Sequence, residues 1–172
     1  MEVRDLFELE NDHSFQQLNQ HVNSFNTLKI LKIENHEIRH SNILAWLLDP
    51  KENHHLGDYF LRKMMEHLVL LEENTNNLHY EKLTHMLNHS FTDSYVYREV
   101  KTDKGRFIDL VIVNHQLKCV ILIENKFYST ESINQLDDYL HYIHEQFVNY
   151  TTIPVYLTLD GEEPSSDEYF SL

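Results

Sequence analysis

Phe107-Ile108-Asp109-Leu110-Val111-Ile112-Val113 and, a few residues on, Val120-Ile121-Leu122-Ile123-Glu124-Asn125-Lys126 are the stretches whose reading decides the fold. Both are rich in β-branched residues and apolar on both faces, which predicts strands covered above and below by other layers. Their polar residues are the anomaly. A carboxylate at Asp109, inside an apolar run, is costly unless it is paired or metal-bound. Glu124 and Lys126 are two apart, so they point to one face, roughly 6.5–7 Å from each other along the strand. A tight turn at His115-Gln116 would pair Asn114 with Leu117, and so Asp109 with Leu122. Glu124 is then the diagonal neighbour of Asp109 on the same face, near enough for one cation to join them.

Outward from these strands, a further strand is predicted at 95–100. Ile133, Leu136, Leu140, Ile143 and Phe147 mark a helix, and 153–159 supplies a last strand closed by Asp160-Gly161. The first half of the chain is helical instead. Phe15, Leu18, Val22, Phe25, Leu28 and Leu31 follow the spacing of one long amphipathic helix. Ser41 stands in an N-cap position ahead of Ile43, Leu44, Trp46, Leu47 and Leu48, and Asp49-Pro50 ends that segment. A third helix is predicted over 57–71, a break at 72–77, and a weaker helix over 78–88. The 172 residues fit one domain, 1–172. Within it, 1–90 is helical, 91–161 is a β-strand and helix core, and 162–172 is an acidic tail. The fold class is α/β.

Composition narrows the function classes. With 41% hydrophobic and 24% charged residues, the chain is a folded protein and not a disordered one. No apolar run approaches the roughly 20 residues that span a bilayer. The acidic start MEVRDLFELEND lacks the layout of a secretory signal, and the one cysteine, Cys119, suits a reducing compartment. A cytoplasmic location is expected. The formal charge of −14 argues against broad neutralisation of phosphates. Six of the 14 basic residues nevertheless fall within a short stretch: Arg98, Lys101, Lys104, Arg106, Lys118 and Lys126. Of these, Lys104 and Arg106 are candidates for contact with a substrate. The 13 histidines show no zinc-binding spacing; His54 and His55 read as polar surface.

Two readings of Asp109, Glu124 and Lys126 stand open. One is a structural carboxylate–lysine bridge at a sheet end, a common device. The other is a hydrolytic site: two carboxylates suit Mg²⁺, which prefers oxygen ligands and keeps several waters, and an ammonium stabilises developing charge. Glu99 could add a carboxylate at the same edge. Gln135 and Tyr139, one helical turn apart, share a face near the Glu124–Lys126 end.

Arg98-Glu99-Val100, Gly105-Arg106-Phe107-Ile108-Asp109, Ile123-Glu124-Asn125-Lys126 and Gln135-x-x-x-Tyr139 together resemble the PD-(D/E)XK nuclease superfamily. The segment Glu37-Ile38-Arg39-His40-Ser41-Asn42-Ile43-Leu44-Ala45-Trp46-Leu47-Leu48-Asp49-Pro50, followed by His55-Leu56-Gly57, is similar to a prokaryotic branch of it. The resemblance covers about residues 34–161. It implies a restriction-endonuclease-like core, namely helix, three strands, helix and strand in a mixed sheet, with additional N-terminal helices. It also implies a metal-dependent nuclease that cleaves phosphodiester bonds in nucleic acid, DNA rather than RNA, in restriction, repair or phage defence. Asp109 and Glu124 would bind Mg²⁺, with Mn²⁺ able to substitute, and Glu99 and Glu37 would complete the metal shell. Lys126 would orient the attacking water and stabilise the transition state, while Gln135 and Tyr139 would support the site or touch substrate. His40 and Ser41 remain open between such a role and a cap and packing role.

The sequence departs from the family pattern in two places. Ile108 stands where the family name has proline. Relatives in the branch continue past the last strand, which leaves open a fragment or a short version completed by a homodimer or a partner protein. The alternative function follows from that and from the charge: a nuclease-fold binding or assembly module, inactive alone and completed by a partner.

Overall fold

Asp12 caps the helix that follows it. Its Oδ1 accepts the N–H of Phe15 at 2.9 Å, and α1 runs over His13–Val22. The computed structural model describes residues 7, 9, 11–22, 37–126, 132–159 and 161–172, and the remainder of the helix expected over 15–31 lies outside them. The chain divides into two compact units, Met1–Glu34 and Asn35–Leu172, where the sequence suggests one domain.

In the second unit, α2 (Glu37–Leu48) and α3 (Tyr59–Leu70) precede a short 3₁₀ turn (Glu72–Asn76) and α4 (Tyr80–Met86). The expectation of Ser41 as an N-cap is corrected here, because Ser41 lies inside α2 and is 1% exposed. Ile38 and Arg39 are exposed, so the opening turn carries no apolar periodicity by which to read it. α2 ends as expected, with a final bond from Asp49 N to Ala45 O ahead of Pro50.

The sheet follows. β1 (Ser94–Lys101), β2 (Phe107–Asn114) and β3 (Cys119–Lys126) form an antiparallel meander. α5 (Gln135–Gln146) then carries the chain across to β4 (Thr151–Thr158), which lies parallel to β3. A parallel neighbour requires such a crossover. The 162–172 segment, expected as an acidic tail, supplies a fifth strand: β5 (Phe170–Ser171) pairs parallel with β4. The result is one five-stranded mixed sheet in the order β1-β2-β3-β4-β5.

The sheet is buried on both faces, as the apolar strands predict. Leu110, Ile112, Ile121, Ile123, Ile153 and Phe170 pack with Leu61, Met65 and Leu68 of α3 and with Leu83 of α4. On the other face, Val111, Val113, Val120 and Leu122 pack with Leu136, Tyr139, Leu140 and Ile143 of α5. Cys119 is enclosed, and burial pushes its thiol up to about 12. No helix among the described residues is long and apolar enough to cross a membrane.

The β2–β3 register differs from the expected one by two residues. Asn114 pairs with Cys119, and Val111 rather than Asp109 faces Leu122. The cause is local. Asn114 Oδ1 accepts the N–H of Leu117 at 2.9 Å and Lys118 adopts a left-handed φ of 48°, so the turn takes four residues instead of two. Phe170 is fully enclosed although its strand is only two residues long. Phe170→Ala is therefore expected to cost about 3–5 kcal/mol in urea denaturation. A loss below about 1 kcal/mol would show that β5 is not part of the cooperative core.

Candidate active site

β3 ends in alternation. Glu124 and Lys126 face α5, while Asn125 between them faces the helical layer. Glu124 is 2% exposed, a position that a carboxylate occupies only with matched partners. Two reach the same oxygen. Lys126 Nζ lies 2.8 Å from Glu124 Oε1, and Gln135 Nε2 donates to that atom at 2.7 Å. Gln135 opens α5 and is itself held on both sides. Its Oε1 accepts from Lys126 Nζ at 3.3 Å and from the Ser132 N–H and hydroxyl at 3.1 Å each. Its Nε2 also donates to the Tyr139 oxygen at 2.9 Å, and the Tyr139 hydroxyl donates to the Phe107 carbonyl at 2.6 Å. One unbroken relay thus runs from β3 through α5 to the start of β2.

Asp109 joins from β2. The β2–β3 ladder stops at Leu110–Ile123, and just beyond it Asp109 Oδ2 accepts the main-chain N–H of Asn125 at 2.8 Å. Where the strands part, a side chain thus takes over a main-chain donor. Continued by one step, the observed register sets Asp109 opposite Glu124 rather than diagonal to it. The expected same-face relation is kept, because moving the register by two residues preserves the face.

The other expected residues are placed less centrally. Glu99 lies opposite Asp109 in the β1–β2 register, but that pair drops out of the ladder and Glu99 takes a φ of 50°. Glu37 opens α2, and its side chain lies outside the described residues. Among the described residues no group of three or more His, Cys, Asp or Glu side chains is gathered to hold a metal ion. Lys104 forms an ion pair with Asp138 of α5, whose other oxygen lies 3.5 Å from Arg106 Nη1. The hydrogen bond from Lys104, opposed by desolvation, holds the Asp138 carboxyl below its usual range. Arg106 Nη2 also donates to the Ile133 carbonyl at 3.1 Å. These two cations pin the β1–β2 connection to the start of α5.

A family model for the PD-(D/E)XK nuclease superfamily matches residues 25–170. The chain belongs to that superfamily. No curated protein and no solved structure matches it. The five-stranded mixed sheet with its crossover helix is the restriction-endonuclease-like fold of this superfamily, whose general function is nuclease hydrolysis with divalent metals. In this PD-(D/E)XK chain the donor set fits such an ion: two hard carboxylates, Asp109 and Glu124, at the parting of two strands. Mg²⁺ needs no fuller protein cage, since it retains several waters.

Three supporting residues escape a reading of the motif alone. Ser132 is one. Its N–H and its hydroxyl both donate to Gln135 Oε1, while Asn134, left-handed with a φ of 57°, is the residue that caps α5. The others are Asn125, legible as a polar residue on an otherwise apolar strand face, and Ser41 inside the quoted helical segment.

Burial, then the nearby charges of Glu124 and Asp109, push the Tyr139 phenol up to about 12, against the opposing Gln135 hydrogen bond and Arg106. The neutral phenol is thus favoured in the folded state. Its contribution to stability is complete below the ordinary tyrosine value near 10 and is lost as pH rises towards 12. Tyr139→Phe is expected to destabilise by about 1–3 kcal/mol at pH 8, because Gln135 and the Phe107 carbonyl lose a partner. It is also expected to flatten the decline in stability between pH 10 and 12. Urea denaturation across that range measures both, and a variant that tracks the wild type would remove Tyr139 from the relay.

Proposed function

We propose that this chain is a divalent-metal-dependent nuclease that hydrolyses phosphodiester bonds in nucleic acid, with DNA favoured. The observation that carries the reading is the Glu124–Lys126–Gln135 cluster, with Asp109 beside it where β2 and β3 part. Asp109 and Glu124 would hold Mg²⁺, or Mn²⁺ in its place. A bound ion would supply Lewis acidity at the phosphoryl oxygen and a lowered pKa for the attacking water. Lys126, only 2.8 Å from Glu124, would stabilise the negative charge that develops on the phosphoryl group and orient the water. Gln135 keeps the Glu124 carboxylate turned to the site, and Tyr139 keeps Gln135 in place. Glu99 and Glu37 are the candidates for further ligands, and Lys104 and Arg106 for phosphate contact once released from Asp138. A role in restriction, repair or phage defence and a cytoplasmic location belong to the same reading.

A second reading is a nuclease-fold binding or assembly module, inactive alone and completed by a homodimer or a partner protein. It is favoured by the net charge of −14 and by the internal pairing of Lys104 and Arg106.

Incubation with duplex DNA, single-stranded DNA and RNA, with and without Mg²⁺ or Mn²⁺, separates the two. Metal-dependent cleavage is expected, with kcat reduced roughly 100- to 1,000-fold in Lys126→Ala, the loss typical of removing one transition-state donor. Removing Lys126 also leaves Glu124 buried beside no cation, so circular dichroism must show each variant folded, and Asp109→Ala serves as a second test. Cleavage at wild-type rate in either folded variant would sink the assignment. Cleavage by no protein, with metal still bound, would favour the module.

A further inference from the structure

We propose that Asn125 and Ser41 form a positioning pair that holds the Asp109 carboxylate in place and so couples helix α2 to the site through the sheet. The inference rests on the reading of Asp109 as a metal-binding residue. It gives the Ser41-containing segment of α2 a task that neither capping nor the chemistry of Lys126 supplies.

Asn125 acts in two directions. Its main-chain N–H donates to Asp109 Oδ2 at 2.8 Å. Its side chain projects to the opposite face of the sheet, is buried at 5% exposure, and donates from Nδ2 to Ser41 Oγ at 3.3 Å. Ser41, 1% exposed, lies one helical turn before Ala45, which belongs to the core under that face. The contact with Asp109 falls just beyond the last β2–β3 pair, Leu110–Ile123, where main-chain bonding no longer fixes the separation of these strands. On its other side, β3 stays paired with β4 through Asn125–Leu157. The pairing with β4 fixes the Asn125 peptide within the plane of the sheet. The Ser41 bond fixes it perpendicular to that plane. The direction of the Asn125 N–H, and with it the seat of Asp109 Oδ2, is then set from α2. Groups that orient a metal-binding side chain from behind typically control metal affinity about 10- to 100-fold.

The test uses the full chain and Mn²⁺ as the probe. Calorimetric titration compares wild type with Ser41→Ala, Asn125→Ala and Ser41→Thr, the last of which keeps the hydroxyl. Ala45→Gly loosens the same helix face without touching Asn125 and serves as the stability control. Amide hydrogen exchange at residue 125 and thermal melts accompany each titration. Ser41→Ala and Asn125→Ala are expected to weaken Mn²⁺ binding about tenfold and to speed exchange at residue 125. Ser41→Thr restores most of both, and Ala45→Gly lowers Tm while leaving Mn²⁺ affinity in place. Unchanged affinity and exchange in Ser41→Ala would overturn the proposal, as would an equal loss of affinity in Ala45→Gly. A wild type that binds no Mn²⁺ removes the metal reading itself. Exchange at residue 125 then decides the positioning alone, faster exchange in Ser41→Ala supporting it and unchanged exchange overturning it.

Discussion

A carboxylate taken out of water into the end of a sheet must recover its lost hydration from neighbours, and Glu124 recovers it from Lys126 and Gln135. That requirement reaches far into the structure. Gln135 can serve only if α5 begins where it does, so the crossover between β3 and β4 must deliver its first turn to the end of β3. Tyr139 then has to lie one turn further along, where its hydroxyl meets the Phe107 carbonyl. The Lys104 and Arg106 contacts with Asp138 hold the same helix end from the β1–β2 side. β2, β3 and α5 are thereby tied round one ionised group. Removing a single partner leaves an uncompensated charge, which is far more damaging than never having buried the pair.

The same arrangement bears on how a chain of net charge −14 belongs to a nuclease superfamily. Long-range attraction to phosphate is weak for such a protein. Cations near the site are paired at short range with acidic groups of the chain itself: Lys126 with Glu124, and Lys104 and Arg106 with Asp138. Under the proposed function, such pairs would exchange partners with an entering phosphate or metal ion. Electrostatics here concern local competition among a few groups more than a general basic surface.

Much of the fold was legible because its strongest signals are physical necessities. Two strands apolar on both faces imply cover on both sides, and α5 on one side with α2 to α4 on the other supplies it. Asp109, Glu124, Lys126, Gln135 and Tyr139 were readable as one group from strand alternation and a helical turn, and the structure brings them together. The failures have equally local causes. The β2–β3 register depends on the Asn114 side chain and the left-handed Lys118, which no hydrophobic period encodes. The start of α2 was hidden by its exposed opening turn. β5 leaves no mark in the sequence because two residues are too few to show alternation, although Phe170 is fully enclosed.

Glu99 carries a consequence of another kind. Among the described residues, β1 lies at the border of the sheet, so one side of it presents main-chain groups to which a foreign strand could add. A glutamate with a φ of 50° interrupts that row, because a strand docking in register would meet a misdirected peptide and a negative charge at the same point. The distortion costs of the order of 1–2 kcal/mol locally. In return it makes β1 a poorer template for edge-to-edge pairing between molecules.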